Sequence, residues 1–250
     1  MEALFGFLLT FTRVGSAMLL VPMPGIKDLS KTPKIVLVAS ITVALFPVWP
    51  SNQLSQGAGG QFFLAVTAEM AAGLLLGLAM AFLNEAFQLA AQVITLQTGF
   101  SFASTVDPTS QADTTIFQVM SQLATGLLFF ILGIHLQFIR LFAHSFDLFS
   151  SQNTALTSIT LSTVAMLSAK IFVNGLKMGL PVVTLLLLID LGLAVMNRLQ
   201  AQLQLMLLSF PVKIVLSFIF LSAIMLRWPT LYERAALQTF DILAQLLSRF

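Results

Sequence analysis

The sequence predicts an all-α integral membrane or membrane-associated protein, with kinked apolar helices and a C-terminal amphipathic helix. Three observations predict it. The 250 residues are 58% hydrophobic, with a mean hydropathy of +0.95. Charged residues make up 9% of the chain, against about a quarter in soluble domains. Apolar runs recur along the chain, several near the ~20 residues that a helix needs to cross a ~30 Å hydrocarbon core. The whole chain, 1–250, reads as a single helical domain.

The N-terminal MEALFGFLLTFTRVG places an acid ahead of the first apolar run and Arg13 inside it. A secretory signal needs the reverse, so this segment is expected to be retained. Leu4–Pro22 is a first span, ended by Pro22 and Pro24-Gly25. The following loop carries Lys27, Lys31 and Lys34 against Asp28, which places it on the cytoplasmic side. Ile35–Trp49 is a shorter run closed by prolines. Ser51–Gln61, rich in Gly, Gln and Ser, reads as a loop on the opposite side.

Phe62–Leu83 is the next helix, with Glu69 embedded in it. Gly73 and Gly77 form a small-xxx-small pair that lets another helix come close, and Gly175 and Gly179 repeat the spacing. In Glu85–Gly99, residues Glu85, Gln88, Gln92, Thr95 and Gly99 make one polar stripe at helical spacing. The stripe suits a wet channel face or interhelical hydrogen bonds equally well. Phe100–Gln122 breaks the helical pattern with Asp107-Pro108 and a run of Ser and Thr. Phe100 and Phe102 enter this segment and Phe117 leaves it. On residues alone it is a surface loop, or an irregular segment lining a cavity.

Leu123–Phe142 is a further span, and Phe146–Ser162 reads as a polar loop. Val164–Met178 leads into a central hairpin, 171–226. Its two apolar runs, Leu180–Met196 and Leu205–Leu226, flank a short polar connection. Asp190 and Lys213 lie 11 and 12 residues from a turn at Ala201, which sets both at roughly 17 Å from it. A lone charge at such depth costs several kcal/mol, so an Asp190–Lys213 ion pair is expected. A proton- or ion-carrying role for Asp190, as in a secondary transporter, is the competing reading. In the tail, 231–250, Leu237, Phe240, Leu243, Leu247 and Phe250 oppose Arg234, Gln238, Asp241 and Gln245, an amphipathic helix. Together the runs predict about six spans, with kinks at Pro22, Pro181 and Pro211.

Catalytic chemistry is not expected. His135 and His144 are nine apart and do not share a helix face. No acid or cysteine completes a metal set, and no hydrolase or phosphate-binding motif occurs. A net charge of +2 with scattered basic residues gives no nucleic-acid patch. No cofactor is implied.

Two long motifs carry a resemblance. NGLKMGLPVVTLLLLIDLGLAVMNR followed by SFPVK, and upstream LQTGFSFASTVDPTSQ, resemble the FliR family of bacterial flagellar biosynthesis proteins, within a superfamily shared with virulence type III secretion. The likeness covers nearly the whole chain. It implies a subunit of the flagellar type III export gate in the bacterial inner membrane, at the flagellar basal body. Such a subunit joins several copies of FliP and FliQ, with FlhB docking on the assembly; it closes that ring and helps form and plug the pore for unfolded flagellar substrates. It also implies that the 100–122 loop sits in the pore mouth as a plug. That role passes to Phe100, Phe102, Val106, Asp107 and Pro108, which match the motif, and to Phe117 at the loop's exit. In assembled gates of this kind the helices stack on partner subunits as well as on lipid.

Overall fold

The computed structural model describes residues 2–21, 31–49, 59–99, 116–148, 156–199 and 205–247. These form eight α-helices and one short 3₁₀ turn, Phe46–Val48. The α-helices are α1 (Glu2–Leu20), α2 (Lys31–Ala44), α3 (Gly59–Thr98), α4 (Ile116–Ile131), α5 (Ile134–Leu148), α6 (Leu156–Leu199), α7 (Leu205–Met225) and α8 (Trp228–Leu247). Among the described residues there are no strands.

Contacts divide the chain into two compact units. One holds 1–83, 129–169 and 235–250; the other holds 84–128 and 170–234. The divisions fall inside helices α3, α4, α6 and α8 rather than in linkers.

Several expected elements merge or break. The expected boundary between Phe62–Leu83 and Glu85–Gly99 is absent, because α3 runs unbroken for 40 residues. Nothing between them disturbs the backbone ladder; only the side-chain pattern changes. Likewise α6 runs for 44 residues through Pro181, and α7 continues through Pro211. Residues 156–162, read as loop, belong to α6, and α5 extends through Phe146 to Leu148. Ser and Thr there bias local propensity against helix, but only weakly. The irregular segment expected to reach Gln122 gives way to helix from Ile116.

Two sharp changes of direction lie at breaks between helices. The expected span Leu123–Phe142 is two helices bent by 65° between Ile131 and Ile134. Gly133 there has φ +67°, the left-handed end of a helix, and its N–H donates to Phe130 O at 3.1 Å,. The second break, 58°, lies between α7 and α8. Pro229 stands in the first turn of α8, where its missing N–H costs no intrahelical bond. Pro22 lies outside the described residues.

Among the described residues the count of spans is also lower than six. Two helices there are long and apolar enough to cross a membrane, Phe62–Thr98 and Val164–Leu199, and up to four if each bent pair counts as one span. Leu4–Leu20 and Thr32–Ala44 are shorter. The two long stretches hold 37 and 36 residues, about 55 Å each at 1.5 Å per residue, well beyond a ~30 Å core.

Each unit is packed by narrow stripes. In the second unit, Ala91, Ile94, Phe117, Val182, Leu186 and Leu221 form one buried cluster. Nearby, Phe87 meets Trp228 edge-on at 5.7 Å and Tyr232 at 5.0 Å, while the Tyr232 hydroxyl donates to Asn84 Oδ1 at 2.9 Å. On α8 the buried side chains are Trp228, Tyr232, Ala235, Ala236, Thr239, Phe240 and Leu243. Leu237, expected on that face, is 44% exposed; at one residue from Ala236 it is turned about 100° away. The expected polar side, Arg234, Gln238, Asp241 and Gln245, is exposed.

Candidate functional site: two charge clusters between apolar helices

Four charges were expected deep inside apolar runs, and the structure gathers them into two clusters, one in each unit. In the first unit, the buried face of α1 carries Leu9, Arg13, Val14 and Ala17. Arg13 and Glu69 are 1% and 2% exposed. Arg13 Nε donates to Glu69 Oε2 on α3. Its Nη1 donates to Ser145 Oγ on α5 at 3.0 Å, and Ser145 in turn donates to Phe142 O at 2.6 Å. The guanidinium lies 4.0 Å above the Phe146 ring, a cation–π contact. One side chain thus ties three helices, and its burial is tolerable only because the charge is paired and bonded.

Close backbone approach makes this reach possible. A Cβ on Gly73 would overlap Ser16 and the Arg13 carbonyl, and one on Gly77 would overlap the Ala17 carbonyl. The pair sits where α1 crosses α3, as small-xxx-small spacing allows.

In the second unit, α6 packs through Gly175, Met178, Gly179, Val182 and Leu186. A Cβ on Gly175 would come 2.8 Å from Ala86 O, and one on Gly179 3.5 Å from Ala90 O. Asp190 is the next member of this stripe, four residues beyond Leu186, so its carboxylate faces protein. Lys213 Nζ on α7 pairs with Asp190 Oδ1, and Gln97 Nε2 on α3 donates to Asp190 Oδ2 at 3.2 Å. The side chains are 15% exposed for Lys213 and 37% for Asp190. This is a satisfied, half-open carboxylate, held by a cation and an amide from two other helices.

Phe100, Phe102, Val106, Asp107 and Pro108 lie outside the described residues. Phe117 is the first buried residue of α4, 1% exposed, with its ring 5.1 Å from Phe218. Of the polar stripe, Thr95 is buried and donates to Ala91 O, while Glu85 and Gln92 are exposed. His135 Nδ1 lies 3.3 Å from Phe129 O, with its ring beside those of Phe129 and Phe130. Among the described residues no three His, Cys, Asp or Glu side chains gather into a metal site.

Two comparisons place the chain. The profile of the bacterial export proteins, family 1, matches residues 4–239. The chain belongs to the bacterial export proteins, family 1. It is similar to the flagellar biosynthetic protein FliR of Escherichia coli, 30% identical over 227 residues, covering 91% of this chain and 87% of that one. The FliR of Pectobacterium carotovorum is 28% identical over 243 residues, 97% of this chain and 93% of its own. That of Bacillus subtilis is 28% identical over 224 residues, 86% and 84%.

As a bacterial export protein the chain is a structural component of an export apparatus and not an enzyme. Its apolar helices give it a membrane location. Sequence reasoning expected the Asp190–Lys213 contact but missed Gln97, Ser145, Phe146 and the pairing of Arg13 with Glu69. The signal for that pairing was present: two opposite lone charges in separate apolar runs each need a partner.

Proposed function

We propose that this chain is the ring-closing subunit of the flagellar type III export gate. It packs against several copies of FliP and FliQ, accepts FlhB, and contributes to the plug of a pore for unfolded flagellar substrates. The observation that carries this reading is the apolar surface that the chain itself leaves uncovered. On α6 alone Leu180, Leu187, Leu188, Leu191, Val195 and Leu199 are each 48% exposed or more, on more than one side of the helix. So broad a surface needs protein or lipid around it. Helices of about 55 Å exceed what one bilayer covers, so neighbouring subunits are the natural cover for the excess. The flagellar assignment, over virulence secretion, draws support from the names of the relatives. The plug role belongs to Phe100, Phe102, Val106, Asp107 and Pro108. Phe117, buried at the start of α4, anchors the loop's downstream end.

The transporter reading loses its main support. Asp190 has a lysine and a glutamine as partners, and a paired carboxylate is a structural feature before it is a proton carrier.

The test is co-expression with FliP and FliQ, followed by mild-detergent purification on a C-terminal tag of this chain. A stable high-mass complex containing both companions is the expected result. A lone monomer that moves ions in liposomes would overturn the gate reading. In the same assay Asp190→Asn, which strands Lys213, should lower the yield of complex. Asp190→Asn combined with Lys213→Gln should recover part of it. A double variant no better than the single would show that the pair does not hold the assembly.

A further inference from the structure

The Asp190–Lys213 pair and the buried cluster that joins Val182 and Leu186 to Leu221 fix α6 and α7 as an antiparallel hairpin in one register. In that register Lys177 lies about 13 residues from Asp190, or ~20 Å, and Arg227 lies about 14 residues from Lys213, or ~21 Å, in the same direction,. The two cations therefore stand level, and both are exposed. Among the described residues neither has an ion-pair partner. α3 runs alongside α6, with Ala86 against Gly175 and Gln97 against Asp190. The exposed Glu85 on α3 then falls at nearly the same level, slightly outward of the cations. At the other end Arg198 stands in the last turn of α6 and is exposed. Between these levels the three helices carry no charge except the mutual pair Asp190–Lys213.

We propose that the α6–α7 hairpin crosses the membrane between these two levels, with Lys177 and Arg227 against the phosphates of one leaflet and Arg198 against those of the other. Length and charge choose the occupant. Lys177 and Arg198 are 21 residues apart, roughly 32 Å of helix, which matches a ~30 Å hydrocarbon core. α6 is 44 residues long, so its apolar character alone leaves the position of the bilayer open, and the charges decide it. An unpaired cation on an apolar helix is tolerated where its alkyl stem lies on apolar surface and its head reaches the lipid phosphates. Between the levels Leu188, Leu191 and Val195 are 57–60% exposed, as a lipid-facing surface requires, while the one charged pair at mid-depth neutralises itself. Just past Arg227 the chain turns by 58° into α8, where Glu233 and Arg234 are exposed, as befits a chain that has left the hydrocarbon. The level is set by this chain's own charges and does not depend on the gate reading.

The chain contains no cysteine, so a nitroxide on a single introduced cysteine reports depth. The full chain would be reconstituted in vesicles of phosphatidylethanolamine and phosphatidylglycerol. Each label's collisions with oxygen, which concentrates in hydrocarbon, would be compared with its collisions with a water-soluble nickel chelate. The exposed positions Val173, Leu180, Leu188 and Val195 sample the helix. Leu188→Cys, midway between Lys177 and Arg198, should show the highest ratio of oxygen to nickel collisions. The ratio should fall toward Leu180→Cys and Val195→Cys and favour nickel at Val173→Cys. A maximum at Val173→Cys would put the bilayer on the other stretch of α6, and a Leu188→Cys label shielded from both reagents would mean protein cover; either overturns the proposal. A second variant tests the cations themselves. Lys177→Leu with Arg227→Leu leaves the apolar surface of Phe172, Val173 and Leu176 free to enter the bilayer. The maximum should then move by about one turn, ~5 Å, from Leu188→Cys toward Leu180→Cys. An unmoved profile in that variant would show that Lys177 and Arg227 do not set the level, and the proposal would fall with it. These readings use the chain alone, so a failure to assemble with partner subunits leaves them unchanged.

Discussion

Arg13 is the residue that most constrains the first unit. Its charge is buried among side chains from α1, α3 and α5, and Glu69 is its counter-charge. Removing either alone leaves the other uncompensated, which costs about 3–5 kcal/mol in a buried pair. Replacing both with apolar groups of similar volume removes the desolvation penalty together with the attraction. We therefore expect Arg13→Met and Glu69→Leu each to lose most of the folded, monodisperse protein on fluorescence-detected size exclusion in detergent. The double variant should regain a large share of it. If the double variant is as poor as the worse single, the Ser145 and Phe146 contacts of the guanidinium matter more than its pairing. At this scale the sequence was half legible. Asp190 and Lys213 could be matched because both lie in one hairpin, where depth follows from counting residues. Arg13 and Glu69 are 56 residues apart, with α2 between them, and no count along the chain relates their depths. Gln97 gave no signal because an amide on a helix is unremarkable until a carboxylate faces it.

The helices read well where side-chain pattern alone decides, and poorly where the backbone does. Gly73 and Gly77 were legible as a contact face, since spacing is a one-dimensional property. The bend after Ile131 was not, because Leu132-Gly133 sits inside an otherwise continuous apolar run and only its φ of +67° reveals the stop. Three glycine substitutions separate these causes in one set of thermal melts. Gly73→Ala should lower the melting temperature most, because its Cβ would overlap Ser16 and the Arg13 carbonyl; overpacking of that kind costs about 1–3 kcal/mol. Gly133→Ala has nothing within 4 Å of the new atom, so its cost is the left-handed backbone alone, about 1–2 kcal/mol. Gly192→Ala also meets open space, within α6 at ordinary helical geometry. It should stabilise by roughly 0.5–1 kcal/mol. A Gly73→Ala protein as stable as the wild type would mean that α1 does not approach α3 so closely.

For the molecule as a whole, composition gave the class and hydropathy overcounted the spans. Hydropathy reports how apolar a segment is, and cannot tell whether lipid, a partner or the same chain covers it. α3 illustrates this: Leu76, Ala79, Met80, Phe87 and Ala90 are covered by the chain itself, while on α6 the equally apolar Leu187, Leu188, Leu191, Val195 and Leu199 are not. The chain contains no cysteine, so single cysteines report cover without background. Leu188, 57% exposed, and Gln238, on the exposed polar side of α8, would react with a water-borne maleimide at similar rates if water surrounded both. Thiol reactivity requires access and an ionised sulfur, and an apolar cover withholds both. In permeabilised cells Gln238→Cys should therefore label readily. Leu188→Cys should label at least about tenfold more slowly until the sample is denatured in detergent, as an apolar site suppresses the thiolate. Equal rates in cells would mean that the open face of α6 is wet. That outcome would remove the reason for placing it against lipid or a neighbouring subunit, and the gate proposal would then lack its carrying observation.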